Sequence, residues 1–235
     1  MSRTRLPLLS LLLVVASALC QALPGVAERF AFYGDASLSG EYWRALTGHL
    51  CHYNLSHFIG DVGAFLVWAS VVEWVSRKLL VGALMGTMST VGAWLVLAAS
   101  APLEYRGLSA VDCALAAQLF TLGCFDQNIR RHRGLFGALV TAMALFVAKF
   151  AYEFATGHAV LAPNLGVGVR LTPEAHVIGV VVGVITAWLY AGRLTRRLFS
   201  DPVVGRVRHG ITAEARSVYR QPNLTSRQCH QARGW

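Results

Sequence analysis

Six apolar stretches recur along the sequence, and polar segments with most of the charged residues separate them. An α-helix rises about 1.5 Å per residue, so about 20 apolar residues cross a hydrocarbon layer of about 30 Å. The pattern therefore predicts six membrane-spanning helices. We place them at about residues 6–26, 55–75, 79–101, 108–125, 135–154 and 175–192.

The composition agrees with a membrane protein and excludes two other classes. Hydrophobic residues make up 55% of the chain, charged residues make up 14%, and the mean hydropathy is +0.49. Soluble globular domains carry about 25% charged residues, and disordered chains are poor in hydrophobic residues. Seven prolines and the lack of short alternating segments also argue against a transmembrane β-barrel. We expect an all-α membrane protein with six transmembrane helices in one bundle.

The net charge of +9 is concentrated near the C-terminus. Residues 193–235 contain nine arginines, against only Asp201 and Glu214 as acidic residues. A basic tail beside a membrane helix is typical of a cytoplasmic segment that contacts lipid headgroups, rather than of a nucleic-acid site. We therefore expect the lipid bilayer, and no nucleic acid, as a partner. The chain divides into a first transmembrane helix (1–26), a core with five further helices (27–192) and the basic tail (193–235).

The other positive charges predict the orientation of the helices. Lys and Arg are retained preferentially in short cytoplasmic loops. Outside the tail they cluster on one side of the predicted spans, at Arg3, Arg5, Arg77, Lys78, Arg130, Arg131 and Arg133. Both termini are therefore predicted to be cytoplasmic, and the second, fourth and sixth spans begin at the outer face.

The first apolar stretch has an alternative interpretation as a cleaved signal peptide. Arg3 and Arg5 precede it, and small residues occur near positions 18–22. Its apolar run is long for a signal peptide, and no clear small-x-small cleavage site follows. We therefore expect a helix that is retained.

The cysteines do not define a metal or disulfide framework. There are five of them, an odd number without CxxC spacing, which predicts neither a set of disulfides nor a zinc knuckle. Cys113 and Cys124 lie within an apolar stretch, where a free thiol packs as a small hydrophobic group. The full set is Cys20, Cys51, Cys113, Cys124 and Cys229.

Polar side chains occur near the start of each span that begins at the outer face. The second span has His57 and Asp61, the fourth has Ser109 and Asp112, and the sixth has His176. Ionisable residues inside membrane spans are costly and often functional. Because the three spans run in the same direction, these groups are predicted to share one depth near the outer face.

The residue types in this group suit acyl transfer. A serine hydroxyl becomes a nucleophile when a base takes its proton, and a histidine on a neighbouring helix supplies such a base. Ser109 and His176 are therefore candidates for nucleophile and general base. The backbone N–H of Ser109 and the side chain of His57 are candidates to stabilise the oxyanion. Asp112, one turn below the serine, either tunes the pair or bonds a neighbouring helix. This chemistry needs no cofactor.

Small residues favour a close approach of the two helices that carry the pair. Gly179 and Gly183 have the GxxxG spacing that lets helix backbones pack tightly in a membrane. The fourth span offers Gly107, Ala110 and Ala114 on its side. Larger residues there would hold the hydroxyl and the imidazole too far apart for a hydrogen bond.

Several motifs together resemble those of the rhomboid intramembrane serine proteases. They are GLSA at 107–110, AHVIGVVVG at 175–183, Trp43 with Arg44 and Thr47, His57 with Asp61, and Glu73 near the end of the second span. The resemblance implies a Ser109–His176 dyad, with His57, Asp61 and Gly107 supporting the oxyanion. It implies hydrolysis of a peptide bond in or beside the membrane anchor of a protein substrate that reaches the site between the second and fifth spans.

Three positions depart from the usual rhomboid pattern. Asp61 replaces an asparagine, Ala110 replaces a glycine, and Cys113 stands where an aromatic ring often stacks on the catalytic histidine. A carboxylate donates a hydrogen bond only when protonated, so Asp61 is either neutral or serves to orient His57. Asp61 and Ala110 motivate an alternative function, that of a catalytically silent rhomboid-like protein that binds transmembrane helices.

Within the family, the chain is most similar to the rhombosortases, which process C-terminal sorting anchors of exported proteins. The similarity rests on the six-helix form, the TGHLCH stretch at 47–52, and Lys149 with Glu153. Cytoplasmic termini are consistent with a bacterial inner membrane. Lys149 and Glu153 are four residues apart, so an ion pair that lowers the cost of two charges in the membrane is the simpler interpretation of that pair.

Three histidines raise a zinc-dependent membrane hydrolase as a further alternative. His49, His52 and His57 have spacings of three and five, unlike HExxH, and no glutamate lies among them to act as a base. We therefore expect no metal site, and hydrogen bonding near the membrane surface for His49 and His52.

Overall fold

The computed structural model describes residues 6–99, 103–157, 159–160, 165 and 172–200, with residues 193–200 as backbone alone. The helices are α1 (Leu8–Ala22), α2 (Val26–Phe30), α3 (Gly34–Leu38), α4 (Arg44–Thr47), α5 (Leu55–Val75), α6 (Arg77–Leu97), α7 (Ser109–Phe125), α8 (Gln127–Arg131), α9 (Arg133–Thr156) and α10 (Pro173–Ser200). A 3₁₀ turn covers Gly48–Leu50, and two short strands are β1 (Phe32–Tyr33) and β2 (Glu104–Tyr105).

The chain divides after Ala191, and residues 1–191 form one compact unit. The first unit contains every element from α1 to α9 and most of α10. The predicted basic tail beyond residue 200, with Cys229, lies outside the described residues, as do Arg3 and Arg5. The third predicted span, expected to end at 101, ends at Leu97 in the structure, where Ala98 leaves the helical conformation.

Four of the described helices are long and apolar enough to cross a bilayer: α5, α6, α9 and the part of α10 up to Gly192. α1 and α7 are apolar but shorter, at 15 and 17 residues. α1 ends at Ala22 rather than near residue 26, because Leu23 precedes a proline and is extended. The count of six transmembrane helices therefore stays a prediction, whereas the mostly helical membrane architecture agrees with the structure.

α5, α6 and α7 form the centre of the first unit. Ser76 is extended and separates α5 from α6, and its side chain accepts a hydrogen bond from Leu79 N–H as an N-cap. Buried apolar side chains from the three helices pack together, with Phe65, Leu80 and Leu115 among those that are fully buried. α7 is the most enclosed helix, because eleven of its 17 residues are buried. The candidate nucleophile therefore begins a helix that is fixed on several sides.

The segment between α1 and α5, residues 23–54, is folded and is called the first loop below. Arg44 forms an ion pair with Glu41 and donates to the carbonyls of Glu28 and Ala31. Thr47 Oγ1 donates to the carbonyl of Phe30 at 2.7 Å. These bonds supply donors to backbone carbonyls at the end of α2, which have no partner within the helix. They also hold α2 against α4.

The first loop is joined to the segment that precedes α7. β1 pairs with β2 in antiparallel register, with Phe32 opposite Tyr105. Both of these aromatic side chains are buried. The pairing places the first loop directly beside the residues that lead into Ser109.

Glu73 joins α5 to the start of α1. Its side chain is 3% exposed and accepts hydrogen bonds from Leu9 N–H, Ser10 N–H and Ser10 Oγ at 2.8 to 3.2 Å. The first N–H groups of a helix have no partner within the helix, and a carboxylate there also interacts favourably with the helix dipole. Glu73 therefore fixes the position of α1.

We expect Glu73→Leu to lower the free energy of unfolding by about 3 kcal/mol, because it leaves two buried N–H groups of α1 without a partner. The measurement is the thermal midpoint of the purified protein in detergent. Arg77 also bonds Glu73, but its side chain is 57% exposed, so Arg77→Gln serves as the control and should cost about 1 kcal/mol or less. Equal losses in the two variants would contradict this role of Glu73.

Candidate active site

Ser109 and His176 are in hydrogen-bond contact. Ser109 is the first residue of α7 and His176 lies in the first turn of α10. Nε2 of His176 is 2.8 Å from Oγ of Ser109. This is the geometry that a base needs in order to take the proton of a serine hydroxyl. The two residues predicted to form a dyad are therefore brought together across 67 positions of the chain.

Two glycines make this contact possible. A Cβ atom added at Gly179 would lie 2.1 Å from the carbonyl oxygen of Ala110, and one added at Gly183 would lie 2.1 Å from that of Ala114. The obstacle in each case is backbone, which no side-chain rotation removes. α10 therefore packs on α7 with the two backbones in contact, in the manner of GxxxG pairs.

Gly107 allows the chain to pass close to His57 and Asp61. Its φ is +121°, in the region that favours glycine. A Cβ atom there would lie 2.6 Å from Asp61 Oδ2 and 2.9 Å from His57 Cε1. Gly107 N–H also donates to the carbonyl of Gly48 at 3.1 Å. The residue two positions before Ser109 is thus fixed between the first loop and α5.

His57 and Asp61 form a pair one helical turn apart on α5. Nε2 of His57 lies 3.0 Å from Oδ2 of Asp61. Tyr53 N–H faces Nδ1 of His57 at 3.4 Å, and the tyrosine ring stacks on the imidazole. An acceptor at Nδ1 places the ring proton on Nε2. Of the two roles expected for Asp61, this geometry favours orientation of His57 over direct donation to an oxyanion.

A cavity of about 350 Å³ lies beside Ser109 and His176. Its walls come largely from α5, α7 and α9, and Trp68, Phe120 and Phe146 make part of them apolar. Charged groups also reach it: Asp61, Arg106, Asp112, Lys149 and Glu153. The cavity is large enough for one or two side chains of a substrate, and it places them next to the hydroxyl.

The model of the rhomboid domain family matches residues 39–193. The chain belongs to the rhomboid family. It is therefore an integral membrane protein of a family of intramembrane serine proteases, whose members act on membrane proteins within the bilayer. A comparison with curated proteins finds no significant match.

In this rhomboid, two neighbours of His176 could not be predicted from the sequence. Phe150 packs edge-on against the imidazole, with the ring centres 6.0 Å apart. Oε2 of Glu153 lies 3.6 Å from Nδ1 of the same ring. The Lys149–Glu153 ion pair expected from the spacing is present at 2.7 Å, but the sequence gives no signal that α9 brings it to His176. Phe150 supplies the aromatic contact that Cys113 cannot.

Asp112 is buried, and it lines the cavity of the rhomboid. Among the described residues, its Oδ1 has no hydrogen-bond partner. This oxygen is itself buried, so it faces packed protein rather than open solvent. The two roles expected for Asp112, tuning of the Ser109–His176 pair and a bond to a neighbouring helix, both stay predictions.

The three histidines of the zinc hypothesis do not converge in the rhomboid structure. His49 Nδ1 bonds the hydroxyl of Tyr105 at 3.2 Å. His52 and His57 instead both lie against Asp61, with His52 at 3.6 Å. Within the described residues, no group of three His, Cys, Asp or Glu side chains is arranged to hold a metal ion. The structure thus gives the zinc hypothesis no support.

Burial keeps two histidines of the first loop neutral. It lowers the pKa of His49 from 6.5 to about 4, although a hydrogen bond with the backbone of Gly107 opposes the change. It also lowers the pKa of His52 from 6.5 to about 4, although the negative charge of Asp61 opposes it. Because these groups take up protons more readily when unfolded, they stabilise the fold fully above pH 6.5, and this stability is lost as the pH falls towards 4.

We therefore expect the free energy of unfolding to fall between pH 7 and pH 5, with each histidine contributing roughly 1 to 2 kcal/mol. The measurement is the thermal midpoint in detergent as a function of pH. The double variant His49→Gln/His52→Gln should show a shallower dependence, even though it is less stable at every pH. His132→Gln is the control, since His132 is exposed, and it should retain the full dependence. A slope unchanged in the double variant would contradict the prediction.

Proposed function

We propose that this rhomboid is an intramembrane serine endopeptidase that uses Ser109 as nucleophile and His176 as general base and acid. The observation that carries the proposal is the 2.8 Å contact between the two side chains at the wall of a cavity. A half-buried hydroxyl bonded to a buried imidazole has a chemical use, whereas a simple helix cap would not require a base at this position.

The reaction divides into acylation and deacylation. In acylation, His176 takes the proton of Ser109 as Oγ attacks the peptide carbonyl, and it then gives the proton to the leaving amine. In deacylation, His176 activates a water molecule that hydrolyses the acyl-enzyme. The oxyanion lies near the Ser109 N–H at the start of α7. The single Nε2–H of His57 lies 3.0 Å from Asp61, which orients the ring before attack, and this N–H turns to the oxyanion as negative charge develops there. Gly107 lets the chain pass close to both side chains.

We propose a membrane-anchored protein as the substrate, which reaches the cavity between α5 and α9. Both helices contribute to the cavity wall. Glu153 is the only side chain of α9 that is buried among the described residues, so this helix encloses the cavity loosely.

The TGHLCH stretch and the Lys149–Glu153 pair support a rhombosortase that processes C-terminal sorting anchors. The distribution of Lys and Arg supports cytoplasmic termini and a site near the outer face. This orientation is consistent with a bacterial inner membrane.

A fluorophosphonate probe tests the proposed function without knowledge of the substrate. It phosphonylates serines that a base has activated. We expect mass spectrometry of the labelled protein to find the adduct on the peptide that contains Ser109, and heat-unfolded protein to remain unlabelled. An adduct on another serine would contradict the proposal. A folded protein that stays unlabelled but retains transmembrane helices would instead be the catalytically silent helix-binding relative, which the substitutions Asp61 and Ala110 favour.

A further inference from the structure

The face of His176 turned away from Ser109 meets a carboxylate. When Nε2 accepts the serine proton, the ring carries its own proton on Nδ1. Among the described residues, Nδ1 has no hydrogen-bond partner within bonding distance. The acceptor that faces it is Oε2 of Glu153, at 3.6 Å. This separation is slightly longer than a hydrogen bond, and a positive charge on the ring would shorten it.

Glu153 is held in this place from two sides. Nζ of Lys149 lies 2.7 Å from Oε2, the same oxygen that faces His176. The backbone N–H of Val160 donates to Oε1 at 3.1 Å. The side chain of Glu153 is 3% exposed. A buried carboxylate in a membrane helix is costly without partners, and these bonds fix both of its oxygens.

We propose that Glu153 is a positioning residue that completes a Ser109–His176–Glu153 triad, and that Lys149 sets the strength of its effect. This inference rests on the proposed serine protease function. Glu153 selects the Nδ1–H form of His176 and stabilises the imidazolium that forms during attack. The proton passes from Ser109 to Nε2 and then to the leaving amine, and Glu153 does not take it. Lys149 shares Oε2 and weakens the attraction of that oxygen for His176.

The other titratable and charged groups around His176 lie outside α9. His57 and Asp61 face it from α5 and Asp112 from α7 across the same cavity, which Arg106 also lines from the segment before α7. They are unchanged when α9 is mutated, so their contribution to the charge on His176 is common to all the variants below. Phe150 contacts the ring edge-on and restricts its rotation. Differences between α9 variants therefore report on Glu153 and Lys149.

The two members of the ion pair should affect the pH dependence in opposite directions. The acid limb is the part of the pH dependence in which the labelling rate falls as the pH is lowered. Removing the negative charge of Glu153 makes protonated His176 less favourable, so the acid limb moves to lower pH. Removing the positive charge of Lys149 leaves Glu153 fully effective, so the acid limb moves to higher pH. An opposite charge within about 4 Å shifts such a limb by about 1 pH unit. A purely structural ion pair would change stability in both variants and move neither limb.

The experiment measures the rate of fluorophosphonate labelling against pH for the full chain in detergent. We expect Glu153→Gln to lower the plateau rate by about 10- to 100-fold, because the imidazolium loses its partner, and to move the acid limb down by about 1 pH unit. Glu153→Asp should restore part of the rate. Lys149→Met should move the acid limb up. Thermal midpoints verify that each variant is folded.

The outcomes separate the triad from the function on which it rests. If the wild type is not labelled at Ser109, the proposed protease function fails. Suppose that the wild type is labelled, but the acid limb of Glu153→Gln and Lys149→Met lies at the wild-type pH or shifts in the same direction in both variants. The proposed triad is then wrong, and the dyad remains. Should Glu153→Gln fail to fold, the Lys149→Met profile decides alone, since an upward shift supports the triad and an unchanged limb overturns it.

Discussion

We expect Ser109→Ala to lower the rate of substrate cleavage by about 10⁴-fold or more. Alanine removes only one oxygen atom, and among the described residues the Ser109 side chain bonds only His176, so we attribute the loss to chemistry and not to folding. Substrates are identified by comparing the membrane proteins that are cut in cells carrying the wild type and Ser109→Ala. The rate is then measured on one of these substrates with purified protein.

Two controls make this result specific. Ser89 is an exposed serine on α6, and Ser89→Ala should keep the wild-type rate. His176→Gln should lose nearly as much activity as Ser109→Ala, and the double variant should lose no more, because residues that act as one unit are not additive. Cleavage that survives Ser109→Ala, or a double variant in which the two losses multiply, would remove the dyad from the mechanism.

Gly179→Ala lowers activity by about 100-fold or more, because a displacement of about 1 Å between reacting groups is enough for such a loss. The added Cβ would lie 2.1 Å from the carbonyl oxygen of Ala110, so α10 has to move away from α7. That movement separates His176, three residues earlier, from Ser109. The measurements are the labelling rate with a fluorophosphonate and the thermal midpoint, and both should fall.

Gly82→Ala is the matched control for this substitution. Gly82 lies within α6, and a Cβ atom there meets nothing within 4 Å. Alanine is a better helix former than glycine by about 1 kcal/mol, so this variant should be at least as stable as the wild type and equally active. Gly183→Ala, which also meets a carbonyl oxygen at 2.1 Å, should resemble Gly179→Ala. Full activity in Gly179→Ala would mean that the dyad does not depend on this helix contact.

The long helices could be predicted because their signal is local. Twenty apolar residues in a row identify a span wherever the chain goes next, and α5, α6, α9 and the part of α10 up to Gly192 are long enough to cross a bilayer. α10 itself continues to Ser200, beyond the predicted end at 192. α7 is different, with 17 residues and a polar start at Ser109. A helix that is enclosed by other helices does not have to span the bilayer itself, since neighbouring protein satisfies the backbone at its ends.

The site could be predicted in part for a similar reason. Ser109 and His176 begin two helices of the same predicted direction, and the structure places them 2.8 Å apart. Their catalytic role stays a prediction. The contact of Glu153 with His176 could not be foreseen, because it depends on the rotation of α9 about its own axis. The four-residue spacing of Lys149 and Glu153 predicts their contact with each other on α9. It does not predict which residue of another helix they meet.

Contacts between segments far apart in the chain could not be predicted from the sequence either. Phe32 opposite Tyr105 and Glu73 at the start of α1 join segments more than 60 residues apart. Nothing in a two-residue strand or in a single glutamate specifies its partner. The rhomboid motifs mark Glu73 and Arg44 as notable positions, but only the coordinates show that one caps a helix and the other binds loop carbonyls.

The pairing of β1 with β2 makes the position of Ser109 depend on the first loop. That loop supplies the carbonyl of Gly48 to Gly107 and the side chain of His49 to Tyr105. The first loop and the segment before α7 can pair only when both lie on the same side of the bilayer. A chain that threads one of them across the membrane without the other therefore loses this support for Ser109.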